Sequence, residues 1–412
     1  MSQRSERVLT SHAGSLPRPE ELVELNRKRS EGDRSDEDGY QEALKAAVAD
    51  LVAHQKAIGI DLVNDGEYGH SMGHRYDYGS WWTYVFQRLG GLEIAEIGMF
   101  DLPQAGPKDD GIRLASFNER RDWLQFQEAY DDPSSGAALP DTGQRQFAPI
   151  CRGPITYQGH DAVQRDIANF KAALDAAGLE DGYLNSVAPG SCGRFGNEYY
   201  ANDEEVLYAC ADAMREEYQA IIDAGLMLQL DDPAIAENWD QINPAPSVED
   251  YKRFTMIRVE ALNHAIRGLP TDRIRFHLCW GSWHGPHVTD IPMADIVDVM
   301  LAINAGAYSF EAANVRHEHE WKVWHDVELP EGKVLLPGVV SHSTNVVEHP
   351  EVVADRIVRY AEVVGRENVV ASTDCGLGGR VHPQIAWAKL EALAQGAELA
   401  SDALWSRSGA GV

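Results

Sequence analysis

The second half of the chain repeats one unit, and this limits the fold more than any other feature. A short apolar run is followed each time by a stretch with apolar residues at helical spacing. The runs are LMLQLDD (226–232), IRFHLCW (274–280), AYSFE (307–311), VLLPGVV (334–340) and NVVASTD (368–374). Helical patterns cover 248–266, 291–304, 350–364 and 383–398. Strand-then-helix alternation predicts parallel βα units. The first half joins less regularly. Residues 38–58 predict a helix stopped by Gly59, IDLVND (60–65) a strand, and 203–224 a helix opened by acids and closed by Gly225. Between about 68 and 150 the rhythm is lost, which predicts an insertion of loops and short elements. By length, 412 residues suggest two or three domains of roughly 150 each. A barrel absorbs about 250 or more in one. The expected architecture is α/β: a single (β/α)8 TIM barrel over residues 1–412, interrupted by an irregular insertion.

Nearly every predicted strand ends in side chains that can do chemistry: Asp65 and Glu67, Asp231 and Asp232, His277 and Cys279, Glu311, His342, Asp374 and Cys375. In a parallel barrel these ends converge on one face, where active sites are built. The most specific piece is His277-x-Cys279. Residues i and i+2 of a strand point to the same side, so an imidazole and a thiolate share one space, a donor pair suited to zinc. Zinc takes about four ligands, and Cys375 and Glu311 are the natural candidates for the others. His284 and His287 offer an alternative completion, although their spacing past Gly281 breaks the strand alternation. Asp232 before Pro233 also fits a helix cap, with Asp231 left to face a ligand. The aromatic segment YDYGSWWTYVF (76–86) fits either packing within the insertion or a wall over an apolar substrate group.

Charge and cysteine usage narrow the partners. Lys plus Arg number 36 against 65 Asp plus Glu, a formal net charge of −29. Such a field repels nucleic acid and anionic membranes. No stretch approaches 18 uninterrupted apolar residues, so no membrane span is expected. The five cysteines are scattered, as in a reduced protein rather than a disulfide framework. The first residues lack the apolar core of a secretory signal. The expectation is a cytoplasmic protein without nucleic-acid or membrane partners.

Several motifs, in this order, resemble the cobalamin-independent methionine synthase family, specifically its catalytic barrel. They are SHAGSLPRP (11–19), GIDLVNDGE (59–67), LQLDDPAIAE (228–237), HLCWG, SFEAAN, VVSHSTNVVE and STDCGLGGR. Asp232 stands where the family usually has Glu. The resemblance implies a zinc enzyme with ligands His277, Cys279, Glu311 and Cys375. It implies that Glu67 and Asp231 hold the amino group of a thiol such as homocysteine, that the Gly14–Ser15 backbone receives its carboxylate, and that His342 handles a proton near the alkyl donor. The implied reaction is methyl transfer to homocysteine, giving methionine, from methylfolate or a methyl-corrinoid protein. The layout is also similar to epoxyalkane:coenzyme M transferases, which implies an alternative in which an epoxide carbon or another alkyl group goes to coenzyme M. A non-catalytic zinc-binding barrel is the remaining alternative. The chain departs from the family in two further places. CRGPITYQG (151–159) lacks the Trp-containing continuation associated with folate stacking, and the 68–150 insertion has no family counterpart.

Overall fold

The structure, a computed structural model, describes residues 6–30, 33–70, 80–96, 106, 111–137 and 147–406. Eight parallel strands form one sheet: β1 Leu9–Thr10, β2 Val63–Asn64, β3 Gly182–Val187, β4 Met227–Asp231, β5 Ile274–Leu278, β6 Ala307–Phe310, β7 Val334–Val340 and β8 Val370–Thr373. Their spatial order is β1-β8-β7-β6-β5-β4-β3-β2. The first and last strands of that order meet. The Leu62 N–H donates to the Thr10 carbonyl at 3.0 Å, and Ser11 Oγ donates to the Leu62 carbonyl at 3.2 Å. The sheet thus curls round as the expected (β/α)8 barrel.

The predicted strands of the second half all form, within a few residues of their expected ends. β1 and β3 escape the sequence reading. β1 is only two residues long, and GYLNSV lies behind a ribbon that breaks the alternation.

The helices form an outer ring: α1 Glu37–Ala57, α2 His160–Ala177, α3 Asp203–Asp223, α4 Val248–Ala265, α5 Met293–Leu301, α6 Pro350–Val364 and α7 Pro383–Ser406. Local chemistry sets their ends. Asn202 caps α3 by accepting from the Glu205 N–H, Ser247 caps α4 through the Asp250 N–H, and Gly178 closes α2 in the left-handed conformation. Sequential helices pack side by side, α3 on α4 and α6 on α7. No helix among the described residues is long and apolar enough to cross a membrane.

Strand periodicity grades the barrel interior from apolar to reactive. Leu228 and Leu230 pack outward with the helices, while Met227 belongs to an inner cluster with Leu9, Tyr183, Ala307, Leu336 and Val370. Two residues further along the inner face come Gln229, His277, Ser309 and Ser372, all buried. Two further come Asp231, Cys279, Glu311 and Asp374. Register staggers these positions from strand to strand: Asp231 lies opposite His277, and His277 opposite Ser309. A period of two, carried through that staggered register, still turns the reactive side chains to the inner face at the C-terminal ends of the strands.

The 68–150 segment is more regular than its sequence suggests. Leu89–Glu96 pairs antiparallel with Phe147–Tyr157, a ribbon outside the barrel sheet. Part of the insertion, including Tyr76–Gly79 of the aromatic run, lies outside the described residues. The ribbon is tied to the barrel at its base. Buried Arg88 donates to Glu217 of α3 at 2.8 Å and to Asp166 of α2 at 2.5 Å. Tyr84 and Tyr157 also donate to Glu217. Removing one member of a buried charged network strands the others, at about 3–5 kcal/mol. Arg88→Met is accordingly expected to lower the unfolding free energy by about that amount in urea denaturation. A loss below about 1 kcal/mol would show that the network does not hold the ribbon.

Candidate active site

The inward step from β5 and the turn after β8 bring His277, Cys279 and Cys375 together. Their ligand atoms lie within 4.8 Å of one another. His277 Nδ1 is held by Ser309 Oγ at 3.0 Å, which fixes the ring, and its Nε2 is buried without a hydrogen bond. Cys279 is 5% exposed and Cys375 half-buried. The Cys279 thiol beside Cys375 holds the Cys375 sulfur well below the ordinary thiol range, outweighing burial, with His277 adding to the effect. The Cys279 thiol is correspondingly pushed up, by Cys375 first and by burial next. Burial alone would depress His277, but the neighbouring Cys375 sulfur raises it. Two cysteine sulfurs and one imidazole with an orphaned nitrogen make a soft N/S donor set. The residues fit a zinc ion.

Glu311 is close to this cluster but engaged elsewhere. Its Oε1 accepts from the Trp280 N–H at 2.8 Å, and Oε2 from Asn314 Nδ2 at 2.5 Å. Its ligand atoms group instead with those of His342 and Asp374, within 4.8 Å. Asp374 is fully committed, accepting from the Ala312, Ala313 and Asn314 N–H groups. His342 is 1% exposed, and burial holds it down to about 3, so the ring is uncharged at neutral pH. Its Nδ1 has no hydrogen-bond partner. His287 is not free to complete the cysteine cluster: its Nδ1 pairs with Asp290 at 3.1 Å and its Nε2 with the Trp283 carbonyl at 3.0 Å.

Across the recess stand two buried acids. Asp231 is fixed by Asn185 Nδ2 and Gln229 Nε2, each at 2.9 Å. Burial pushes its carboxyl up to about 6 against the pull of His277, Asn185 and Gln229. Glu67 is raised well above the carboxylate range, by burial first and by the Asp231 charge second, and its Oε2 has no hydrogen-bond partner. Its backbone adopts φ 59°, a left-handed conformation that costs a non-glycine residue about 1–3 kcal/mol. The turn is braced by Arg18, which donates to the Glu67 carbonyl, and by Glu67's own N–H on Asp65 Oδ1 at 2.9 Å. The close fit extends to Gly14 (φ +131°), where a Cβ would sit 2.3 Å from Asn185 Nδ2 and 2.5 Å from Glu67 Oε1. Two adjacent buried carboxyls, each raised by burial, form a receptor whose ionised state a cation would stabilise.

Gly14 and Ser15 lie at the mouth of β1. The Gly14 N–H already donates to His12 Nδ1 at 3.2 Å, whereas Ser15 Oγ is buried without a partner. The Ser15 carbonyl accepts from Leu377 and Gly378, which clamps the loop after Cys375. Thus Glu67, Asp231, His277, Cys279, Cys375 and Ser15 all line one recess, while Glu311 and His342 are not part of its lining. Sequence reasoning missed Asn185 and gave Ser80, Trp81 and Arg380 no individual role, although each lies in a segment that it singled out. Asn185 was hidden with its strand. Trp81 carried a visible signal in its aromatic run, and Arg380 closes the STDCGLGGR segment without a spacing that marks it.

Residues 195–399 match the family model described as "Cobalamin-independent synthase, Catalytic domain". The chain is 25% identical over 395 residues to the methionine synthase of Thermococcus kodakarensis, covering 95% of this chain and 92% of that protein. It is 26% identical over 211 residues to the methionine synthase of Saccharolobus solfataricus, 50% of this chain and 54% of that one, so this match spans only about half of the relative. Among solved structures, the B12-independent methionine synthase from Shewanella sp. W3-18-1, in complex with selenomethionine, superposes with a TM-score of 0.70 at 18% identity, covering 97% of this chain and 99% of that one. This last likeness is one of fold.

Proposed function

Because the chain belongs to the cobalamin-independent methionine synthase family, we propose that it methylates the sulfur of homocysteine, with zinc held by His277, Cys279, Glu311 and Cys375. The observation that carries this reading is that one recess joins the N/S donor cluster to the buried Glu67–Asp231 pair. An amino-acid thiol offers both a sulfur for the cluster and an ammonium for the acids.

The residues divide the work by position. Glu67 and Asp231 hold the ammonium and so set the direction of the side chain. The Gly14–Ser15 turn faces the same recess and suits the carboxylate. Zinc in the donor cluster would supply the charge that lets a thiol lose its proton at neutral pH. Glu311 would join the set by exchanging its bonds to Trp280 and Asn314. His342, held uncharged by burial, would relay a proton to the departing donor fragment rather than store one. The S–C bond forms as the bond from the methyl carbon to the donor breaks, and the donor fragment leaves with that electron pair.

The acid pair also weighs between rival readings. Coenzyme M brings a sulfonate and no ammonium, so it leaves Glu67 and Asp231 uncompensated. A structural zinc site is closed, whereas this cluster borders an open recess.

The reading is tested by zinc content per chain and by mass analysis of product, with homocysteine and either methyltetrahydrofolate or a methylated corrinoid protein. The expected result is about one zinc per chain and methionine from one of the two donors. A folded protein that holds no zinc after reconstitution and forms no methionine from either donor overturns it.

A further inference from the structure

Glu67 has a neighbour that the transfer chemistry does not use. His70 comes from the same turn, three residues on, and its N–H donates to the Glu67 carbonyl at 2.9 Å. With Glu67 in the left-handed conformation, this closed turn lays the two side chains side by side. His70 Nδ1 stands 3.8 Å from Glu67 Oε2. Both atoms are buried, and neither has a hydrogen-bond partner. The other carboxyl oxygen, Oε1, lies towards Gly14.

The imidazole is held from outside the turn. It stacks on Tyr84 with ring centroids 3.7 Å apart and planes 4° from parallel. Tyr84 is itself fixed, donating to Glu217 at 2.9 Å and accepting from the Val187 N–H at 3.1 Å. Besides Glu67, the charged groups packed around His70 are Arg18, Arg88 and Arg165, with Asp166 and Glu217 paired to Arg88. Arg18 donates to the His70 carbonyl at 3.1 Å, Arg165 to the Gly69 carbonyl at 3.2 Å, and Arg88 lies over the Tyr84 ring at 4.7 Å. Burial first, and these arginines next, hold the imidazole well below its ordinary range. It is therefore no counter-ion for Glu67. A neutral imidazole has one N–H to give, and here it stands one short step from an unfilled carboxyl oxygen. At 3.8 Å the gap is too long for a hydrogen bond. A small turn of the Glu67 side chain closes it.

We propose that His70 is a positioning residue for the acceptor's amino group: as an ammonium reaches Glu67 Oε1, His70 Nδ1–H closes on Oε2, and Glu67 then carries its charge with both oxygens bound. The contact favours an amino-acid thiol over a thiol that lacks the amine. This rests on the methyl-transfer reading and adds the residue that selects the class of acceptor. The sulfur chemistry stays with the donor cluster.

The test compares zinc-loaded wild type, His70→Phe and His70→Asn. Phenylalanine keeps a ring against Tyr84 and removes the donor. Asparagine loses the stack but can place its amide nitrogen where Nδ1 stood, the same number of bonds from Cα. KM and kcat for homocysteine are read from methionine formed, with methyltetrahydrofolate or a methylated corrinoid protein. Binding of norleucine, which has the ammonium and carboxylate but no thiol, is titrated by calorimetry. His70→Phe is expected to raise the homocysteine KM and the norleucine Kd at least about tenfold, the loss of one hydrogen bond to a charged group, with kcat and zinc content kept. His70→Asn should recover most of both. Binding of 4-mercaptobutanoate, the same thiol acid without the amine, should be alike in all three proteins. A ring that only packs would give the opposite order, Asn worse than Phe, and would weaken every ligand. That order, unchanged constants in His70→Phe, or a wild type that binds no norleucine overturns the proposal. If wild type forms no methionine yet norleucine binding follows the donor at position 70, the methyl-transfer reading fails and the His70 contact stands. If methionine forms and His70→Phe matches wild type, the contact fails and the reading stands.

Discussion

Replacing Cys375 with serine is expected to empty the donor cluster of metal and abolish turnover. A serine hydroxyl is nearly isosteric with the thiol but stays protonated at neutral pH, so it cannot replace the thiolate as a ligand. In the protein as it stands, Cys375 is the sulfur held lowest, between Cys279 and His277. Its loss also removes the partner that raises His277. Outer partners of a metal site typically matter by about 10–100-fold, so a direct ligand should cost more than about 100-fold in turnover. Zinc should drop from about one per chain to below about one tenth. The side chain is half-buried at the barrel mouth, away from the apolar tiers, so the unfolding transition should stay close to wild type. Elemental analysis and methionine formation, measured together on the refolded variant, decide the matter. Full zinc and full turnover in Cys375→Ser would remove this cysteine from the site.

The second large effect falls on Glu67, and it has opposite signs for binding and for stability. Glu67→Gln leaves an ammonium facing one buried charge where there were two. Truncating one side of a buried charge pair costs about 2–5 kcal/mol. The KM for homocysteine should therefore rise by roughly 30-fold or more. The unliganded protein should become more stable, because an unpartnered carboxylate next to Asp231 is a burden until substrate arrives. About 1–3 kcal/mol is expected. The pH dependence follows from the raised carboxyl. The folded chain binds this proton more tightly than the unfolded chain, so wild-type stability falls as pH rises from the ordinary carboxylate range through the raised value. The variant should lack that loss. Asp231, itself at about 6, contributes a similar decline between the ordinary aspartate range and pH about 6 in both proteins. Chemical denaturation at a series of pH values, set beside the KM, tests both signs. A Glu67→Gln protein less stable than wild type, with unchanged KM, would assign the residue to structure alone.

The two effects draw on different amounts of legible sequence. His277-x-Cys279 is local: strand alternation alone puts both side chains on one face, and the apolar runs around them declare the strand. Cys375 and Glu311 are visible only as strand-end residues, and the barrel topology is what relates them. There the sequence reading and the geometry diverge in detail, since Glu311 spends its oxygens on Trp280 and Asn314 and groups with His342 and Asp374. The strand that carries Asn185 was missed, because the ribbon Leu89–Glu96 with Phe147–Tyr157 interrupts the repeat that marks the other strands. Trp81 was visible as one ring in an aromatic segment, but nothing in its spacing says that it lines the recess.

What this sequence determines by itself is what depends on near neighbours: which stretches become strands and helices, where caps end them, and which inward side chains sit two residues apart. Those follow from backbone periodicity and burial, which act over a few residues. Tertiary structure alone decides which strand ends meet. Cys375 joins His277 and Cys279 from 98 and 96 positions away because β8 and β5 share one barrel mouth. Glu67 reaches Asp231 because Gly14 leaves room for it beside Asn185. Whether a buried acid is left unpartnered depends on every group packed around it. That balance of desolvation and charge is set by the closed barrel and is not written in any single stretch of the chain.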